Sequence, residues 1–157
     1  MAKARKIPYL NSDQPLNICL QKILRTRFNE MISYEEGTLL GDNIEYLHNM
    51  RVSSRRVQAM LKIFRGAFPP KKFMDEYKQI RLLIRSLGEV RDYDVFIKRL
   101  EEFHKESIEQ DNRALDMLII RKKVERDNKR KVLVKTINDL NRLGYKENFM
   151  RFITENL

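Results

Sequence analysis

Apolar residues recur along most of this chain at three- and four-residue intervals, the spacing that places them on one side of an α-helix. Leu16, Leu20, Ile23, Leu24 and Phe28 mark the first such stripe. Ser12 and Asp13 stand just ahead of Pro15, a helix-start pattern in which proline occupies the first turn, where its missing N–H is not needed. Gly37 and Gly41 bracket a break. A second helix is predicted from about Asp42 to Arg65, closed by the turn "GAFPP". The third covers Lys71 to Leu87 and stops at Gly88, and a fourth runs from Arg91 to about Lys105. A long, highly charged helix follows from about Gln110 to Leu143, ended by Gly144, and "KENFMRFITENL" forms a short sixth. No alternation of useful length suggests a strand. The expected fold is therefore all-α, an antiparallel bundle of about six helices, with a flexible tail over 1–12 and one domain over 13–157. The 157 residues suit a single compact domain.

The polar positions are as ordered as the apolar ones. At about 100° per residue, with His48 at zero, Arg51, Arg55 and Lys62 fall at about 300°, 340° and 320°. Leu47, Met50, Val57, Met60, Leu61 and Phe64 fill a separate arc, about 120° to 260°. On the third helix Lys71, Arg81 and Arg85 lie within about 60° of Lys78, opposite Phe73, Ile80, Leu83 and Leu87. Arg91, Lys98 and Lys105 recur every seven residues in the fourth, and Lys122, Arg126, Lys129 and Arg130 form a stripe on the long helix. When such helices pack antiparallel, cationic stripes at a constant angle from their apolar faces can converge on one surface.

Charge turns this pattern toward function. Thirty-two Lys and Arg face 22 Asp and Glu, a net charge of +10. Thirteen of those cations, against five acids, lie between His48 and Arg99, and eight against two between Ile120 and Lys135. Close like charges repel by about 1 kcal/mol per pair even at high dielectric. A bound polyanion offsets that repulsion, and arginine can grip a phosphate with two N–H groups at once. The partner classes are nucleic acid, an acidic surface or a polyphosphorylated molecule. No 18-residue apolar run is present, so no membrane span is expected, and the basic start "MAKARKIPYL" lacks the apolar stretch of a secretory signal. Cys19 is the only cysteine, which excludes an intramolecular disulfide and favours a reducing cytoplasm.

Catalytic chemistry finds little support. His48 and His104 are the only histidines, with no Cys/His/Asp cluster at zinc-like spacing, so no metal or cofactor is expected. Asp92 and Asp94 in "RDYDV" read as acids that orient arginines or cap a helix, rather than as a paired-carboxylate site. Ser53 and Ser54 lack a base to activate them, and no phosphate-binding glycine loop or dinucleotide fingerprint occurs. Met50, Met60, Met74 and Met117 read as core or near-core filler.

Two stretches carry a family resemblance. "HNMRVSSRR" (48–56) followed by "LKIF", and "IRLLIRSLGEVRDYDV" (80–95), resemble the two signature segments of the CHAD domain, the conserved histidine α-helical domain. The match rests on His48, Met50, Arg51, Val52, Arg55, Arg56 and Phe64. It continues through Arg81, Leu83, Arg85, Leu87, Gly88, Arg91, Asp92, Asp94 and Val95. The resemblance implies a helical, non-catalytic module that binds inorganic polyphosphate through a basic surface. Carried over position by position, His48, Arg51, Arg55, Arg56, Arg81, Arg85 and Arg91 become the expected anion contacts. The helical wheels add Lys62, Lys78, Lys98, Lys122 and Arg126. The E-x-E-x-K signature of the triphosphate-tunnel enzymes often fused to such modules is missing. Family members usually contain two similar helical halves, and this chain resembles the first only. The expectation is a homodimer that supplies the second half, with a single-bundle variant as the other reading. Binding of an RNA or DNA backbone by the same surface is the alternative function. The expected location is the cytoplasm, including association with polyphosphate granules.

Overall fold

Six α-helices follow one another in the computed structural model, which describes residues 3–106 and 113–157: α1 (Leu16–Ile32), α2 (Glu35–Leu40), α3 (Ile44–Ile63), α4 (Pro70–Glu106), α5 (Arg113–Arg142) and α6 (Tyr145–Asn156). Residues 1 and 2 of the expected tail, and Gln110 as the expected start of the long helix, lie outside the described residues. The class is all-α, as the apolar spacing predicts. The predicted six helices are nevertheless not these six.

Two boundaries differ for reasons of packing. The break predicted between Gly37 and Gly41 is itself a short helix, α2, and only Gly41 ends it, at a left-handed φ of 78° that glycine adopts without strain. Gly37 sits inside this helix, where the Tyr46 ring lies 2.3 Å from the place a Cβ would take and leaves no room for a side chain. The stop predicted at Gly88 is likewise corrected: α4 runs unbroken through it for 37 residues. A glycine costs a helix interior about 1 kcal/mol, and here Leu83, Leu87 and Val90 are fully buried on either side of it. Burying each such side chain contributes about 1.5–3 kcal/mol, so packing outweighs propensity.

Local signals set the remaining ends. The Asn43 side chain accepts from the Glu45 N–H at 2.9 Å and starts α3. Pro70 opens α4, and Gly144, at φ 67°, turns the chain from α5 into α6. Leu24, Phe28 and Met31 of α1, Met50, Val57 and Leu61 of α3, and Phe149 and Ile153 of α6 are buried in one core with the inner face of α4. Phe28 stacks on Phe149 with ring centroids 4.0 Å apart, and Phe68 on Phe152 at 4.4 Å. Ser53 and Ser54 are buried, and their hydroxyls donate to the Asn49 and Arg51 carbonyls of their own helix.

The order of packing positions the site. α3 lies beside both α1 and α4, and α4 pairs along its second half with α5. Residues 3–15 have no regular structure, but their backbone is held along α1. The Lys22 ammonium donates to the Tyr9 carbonyl at 2.8 Å, and Arg27 donates to the Arg5 carbonyl at 2.8 Å. Near its end the α4–α5 hairpin carries exposed apolar side chains. Phe103, Met117 and Ile120 are 63%, 71% and 62% exposed, which corrects the assignment of Met117 to the core. Met50 is buried, and Met60 and Met74 pack against the core as predicted.

Candidate anion-binding groove

α3 and α4 are antiparallel, and three observations set their register. Gln58 Nε2 donates to Tyr77 OH at 3.4 Å. A Cβ built on Gly88 would stand 3.7 Å from Arg51 Nε. His48 is near enough to Arg91 to feel its charge. In that register Arg55 stands level with Arg81 and Arg85, and Lys62 close to Lys78. The apolar arcs of both helices turn inward, so their cationic arcs face the same outer groove. Gly88 leaves the seam of this groove without a side chain, and Arg51 occupies the space.

The groove contains groups that the other described residues do not satisfy. His48, Arg51 and Arg91 are half-buried, whereas Arg55, Lys62, Lys78, Arg81 and Arg85 are exposed. Arg51 Nε and His48 Nδ1 are buried and have no hydrogen-bond partner. Among the described residues, Arg51, Arg55, Lys62, Lys78, Arg81 and Arg91 have no salt-bridge partner. An unmet buried polar atom costs about 1–3 kcal/mol, so the arrangement favours an incoming acceptor.

Four of the predicted contacts lie elsewhere, and one more shares its charge. Arg56 donates to Glu30 Oε1 at 2.9 Å, on the α1 side of α3. Arg126 donates from Nε to Asp94 Oδ1 at 2.9 Å. Lys98 lines the same crevice as Arg126, a space of about 480 Å³ between α4, α5 and the turn at Gly41. Lys122 donates to Glu125 at 2.7 Å and lies over the Tyr93 ring. Arg85 meets Glu89 at 3.3 Å, and Glu89 also accepts from Lys129 at 3.0 Å. The hydrogen bond from Lys129 holds the Glu89 carboxyl below the usual carboxylate range. The structure thus brings His48, Arg51, Arg55, Arg81, Arg85 and Arg91 to one groove, with Lys62 and Lys78 along its far end. Arg56, Lys98, Lys122 and Arg126 face away from it.

Three participants were absent from the predicted set. Glu30 is a fully buried carboxylate that gathers Arg27, Arg56 and the Arg5 N–H. Its signal in the sequence is an acid inside the apolar run "FNEMI". Glu89 neutralises part of the α4 stripe, and Arg130 fills the end of α2 by donating to the Thr38 and Leu39 carbonyls at 2.9 and 2.7 Å. Glu89 has no sequence signal apart from its charge, whereas Arg130 stands in the cationic stripe of the long helix.

His48 makes the groove sensitive to pH. Burial first, and then the nearby Arg91 guanidinium, hold its ring below the ordinary value of 6.5. The ligand-free ring is therefore neutral at pH 7. For stability, this preference for the neutral form is fully present above 6.5 and is lost as pH falls through the lowered value. A polyanion in the groove acts in the opposite direction and favours the protonated ring. Anion affinity is expected to rise as pH falls from 8 to 6, and His48→Gln should flatten that rise. An equally steep profile in the variant would assign the proton to another group.

The CHAD domain family model matches residues 22–156. No curated protein and no solved structure matches the chain. With most of its length covered by that match, the chain belongs to the CHAD domain family.

Proposed function

We propose that this CHAD-domain chain binds inorganic polyphosphate in the groove between α3 and α4 and does not turn it over. The observation that carries the reading is the pair of unsatisfied buried atoms, Arg51 Nε and His48 Nδ1, at the floor of a groove whose other arginines are largely unpaired. Membership of the family supports the choice of ligand. A phosphate oxygen meets the Arg51 N–H, and the protonated His48 ring donates to a neighbouring oxygen. Arg55, Arg81 and Arg91 replace the counterions along the chain, while Arg85 first gives up its share of Glu89. The contacts read charge and spacing, so binding weakens as salt rises. Tyr77, whose hydroxyl meets Gln58 across the seam, is half-buried and already stacked on Phe73, so base stacking is poorly provided for.

The test is a titration with long-chain polyphosphate in competition with homopolymeric RNA at about 0.15 M salt. Polyphosphate should displace RNA at far lower phosphate-equivalent concentration. Equal or tighter RNA binding would replace this reading with a nucleic-acid one. A homodimer and a cytoplasmic site of action belong to the same proposal. The exposed Phe103, Met117 and Ile120 near the end of the hairpin support the dimer, and the light-scattering mass of the free protein reads it directly.

A further inference from the structure

Helix α3 has α4 on one side, and on its other side lies a segment that precedes the family match. Taking His48 as zero, α4 meets α3 near Arg51 at about 300°, whereas Arg56 lies at about 80°, on the opposite edge of the cationic arc. At that edge Glu30 Oε1 accepts from Arg56 Nη1 at 2.9 Å and from the Arg5 backbone N–H at 3.3 Å. One carboxylate oxygen therefore joins the N-terminal arm to the helix that carries Arg55. The arm is fastened at further points. Arg5 Nη2 donates to Ser33 Oγ at 2.7 Å, Arg27 donates to the Arg5 carbonyl at 2.8 Å, and Lys22 donates to the Tyr9 carbonyl at 2.8 Å. Ile7, between these ties, is half-buried. Lys3 and Lys6 flank the tied Arg5, are exposed, and form no ion pair among the described residues. Backbone ties thus fix the arm, and its lysines stay free.

We propose that residues 3–6 are the second bank of the anion groove, and that Lys3 and Lys6 extend the footprint of a linear polyanion from α4 across α3 onto this arm. The proposal rests on the groove being the polyphosphate site. Its consequence is a length preference. Two successive helix–helix separations amount to about 16–20 Å, which a long chain can bridge and tripolyphosphate cannot. The buried Glu30 carboxylate has a positioning role here, since it holds the arm at the groove edge without meeting the ligand.

The experiment compares the full-length chain with its K3A/K6A variant, using long-chain polyphosphate and tripolyphosphate over a salt series. Neither lysine is buried or paired, so the variant should keep its helicity and thermal midpoint. Long-chain affinity is expected to fall roughly 5- to 30-fold. The slope of log affinity against log salt should drop by about two, one for each lysine removed. Tripolyphosphate affinity should stay the same. Wild-type binding with unchanged long-chain affinity and salt slope in K3A/K6A would overturn the arm inference and leave the groove standing. An equal loss for both ligands would overturn the length argument, because it would make the lysines a general charge effect. Absence of wild-type polyphosphate binding would remove the groove reading itself.

Discussion

Long-chain polyphosphate binding is expected to weaken roughly 30- to 1,000-fold when Arg51 and Arg55 are both replaced by alanine. The two arginines act differently. Arg51 is half-buried beside Gly88 and brings an N–H that nothing else satisfies. A hydrogen bond from such a charged donor is worth about 1.5–3 kcal/mol. Arg55 is exposed, so solvent screens it and its share is smaller, up to about 1 kcal/mol. Together they give about 2–4 kcal/mol, which is the stated range of affinity. The fold should not change, because neither side chain forms a salt bridge within the described residues, and alanine is an even better helix former than arginine. Isothermal titration measures the affinity and circular dichroism the helicity. Lys98→Ala with Arg126→Ala is the control: both side chains face the crevice beside Asp94, so the loss should be much smaller. A double variant at 51 and 55 that binds like the wild type would place the site elsewhere.

Glu30→Ala should give the largest loss of stability, about 3–5 kcal/mol, the usual result of removing one partner from a buried ion pair. Glu30 is 0% exposed and its two oxygens accept from Arg27 at 3.0 Å, Arg56 at 2.9 Å and the Arg5 N–H at 3.3 Å. Removing the carboxylate leaves the largely covered Arg27 and Arg56 guanidinium groups without their acceptor and removes one of the ties at Arg5. Small domains have about 5–15 kcal/mol in total, so the urea midpoint should move substantially. Glu125→Ala is the contrast. It also removes two cationic partners, Arg121 and Lys122, but at a solvent-reached position where screening leaves such pairs little net effect. Equal midpoints for the two variants would refute the central place given to Glu30.

Much of the fold was legible in the chain because helix formation leaves a local trace. The stripe from Leu16 to Phe28 and the proline before it specify α1, which begins at Leu16. The glycine at 144 separates α5 from α6 as predicted. The misreadings share one cause. Gly37 and Gly88 have the same backbone freedom as Gly41 and Gly144, yet only the latter two take a left-handed φ. Whether the helix runs on through a glycine depends on the packing of the residues around it: the buried Leu83, Leu87 and Val90 carry α4 through Gly88. Met117 was misplaced for a related reason: its helix is amphipathic, but among the described residues no neighbouring helix covers its position.

The site divides along the same line. Sequence alone determined which cations share a stripe, because angular position on a helix follows from about 100° per residue and needs no partner. His48, Arg51 and Arg55 were found that way, and Arg81 with Arg85 likewise. Tertiary structure decided which stripes meet, through the antiparallel register of α3 and α4. It also decided which charges were already taken: Arg56 by Glu30 from 26 residues away, Arg126 by Asp94 from 32, and Lys129 by Glu89 from 40. A carboxylate neutralises a cation by its distance in space, and only the packing of the helices sets that distance.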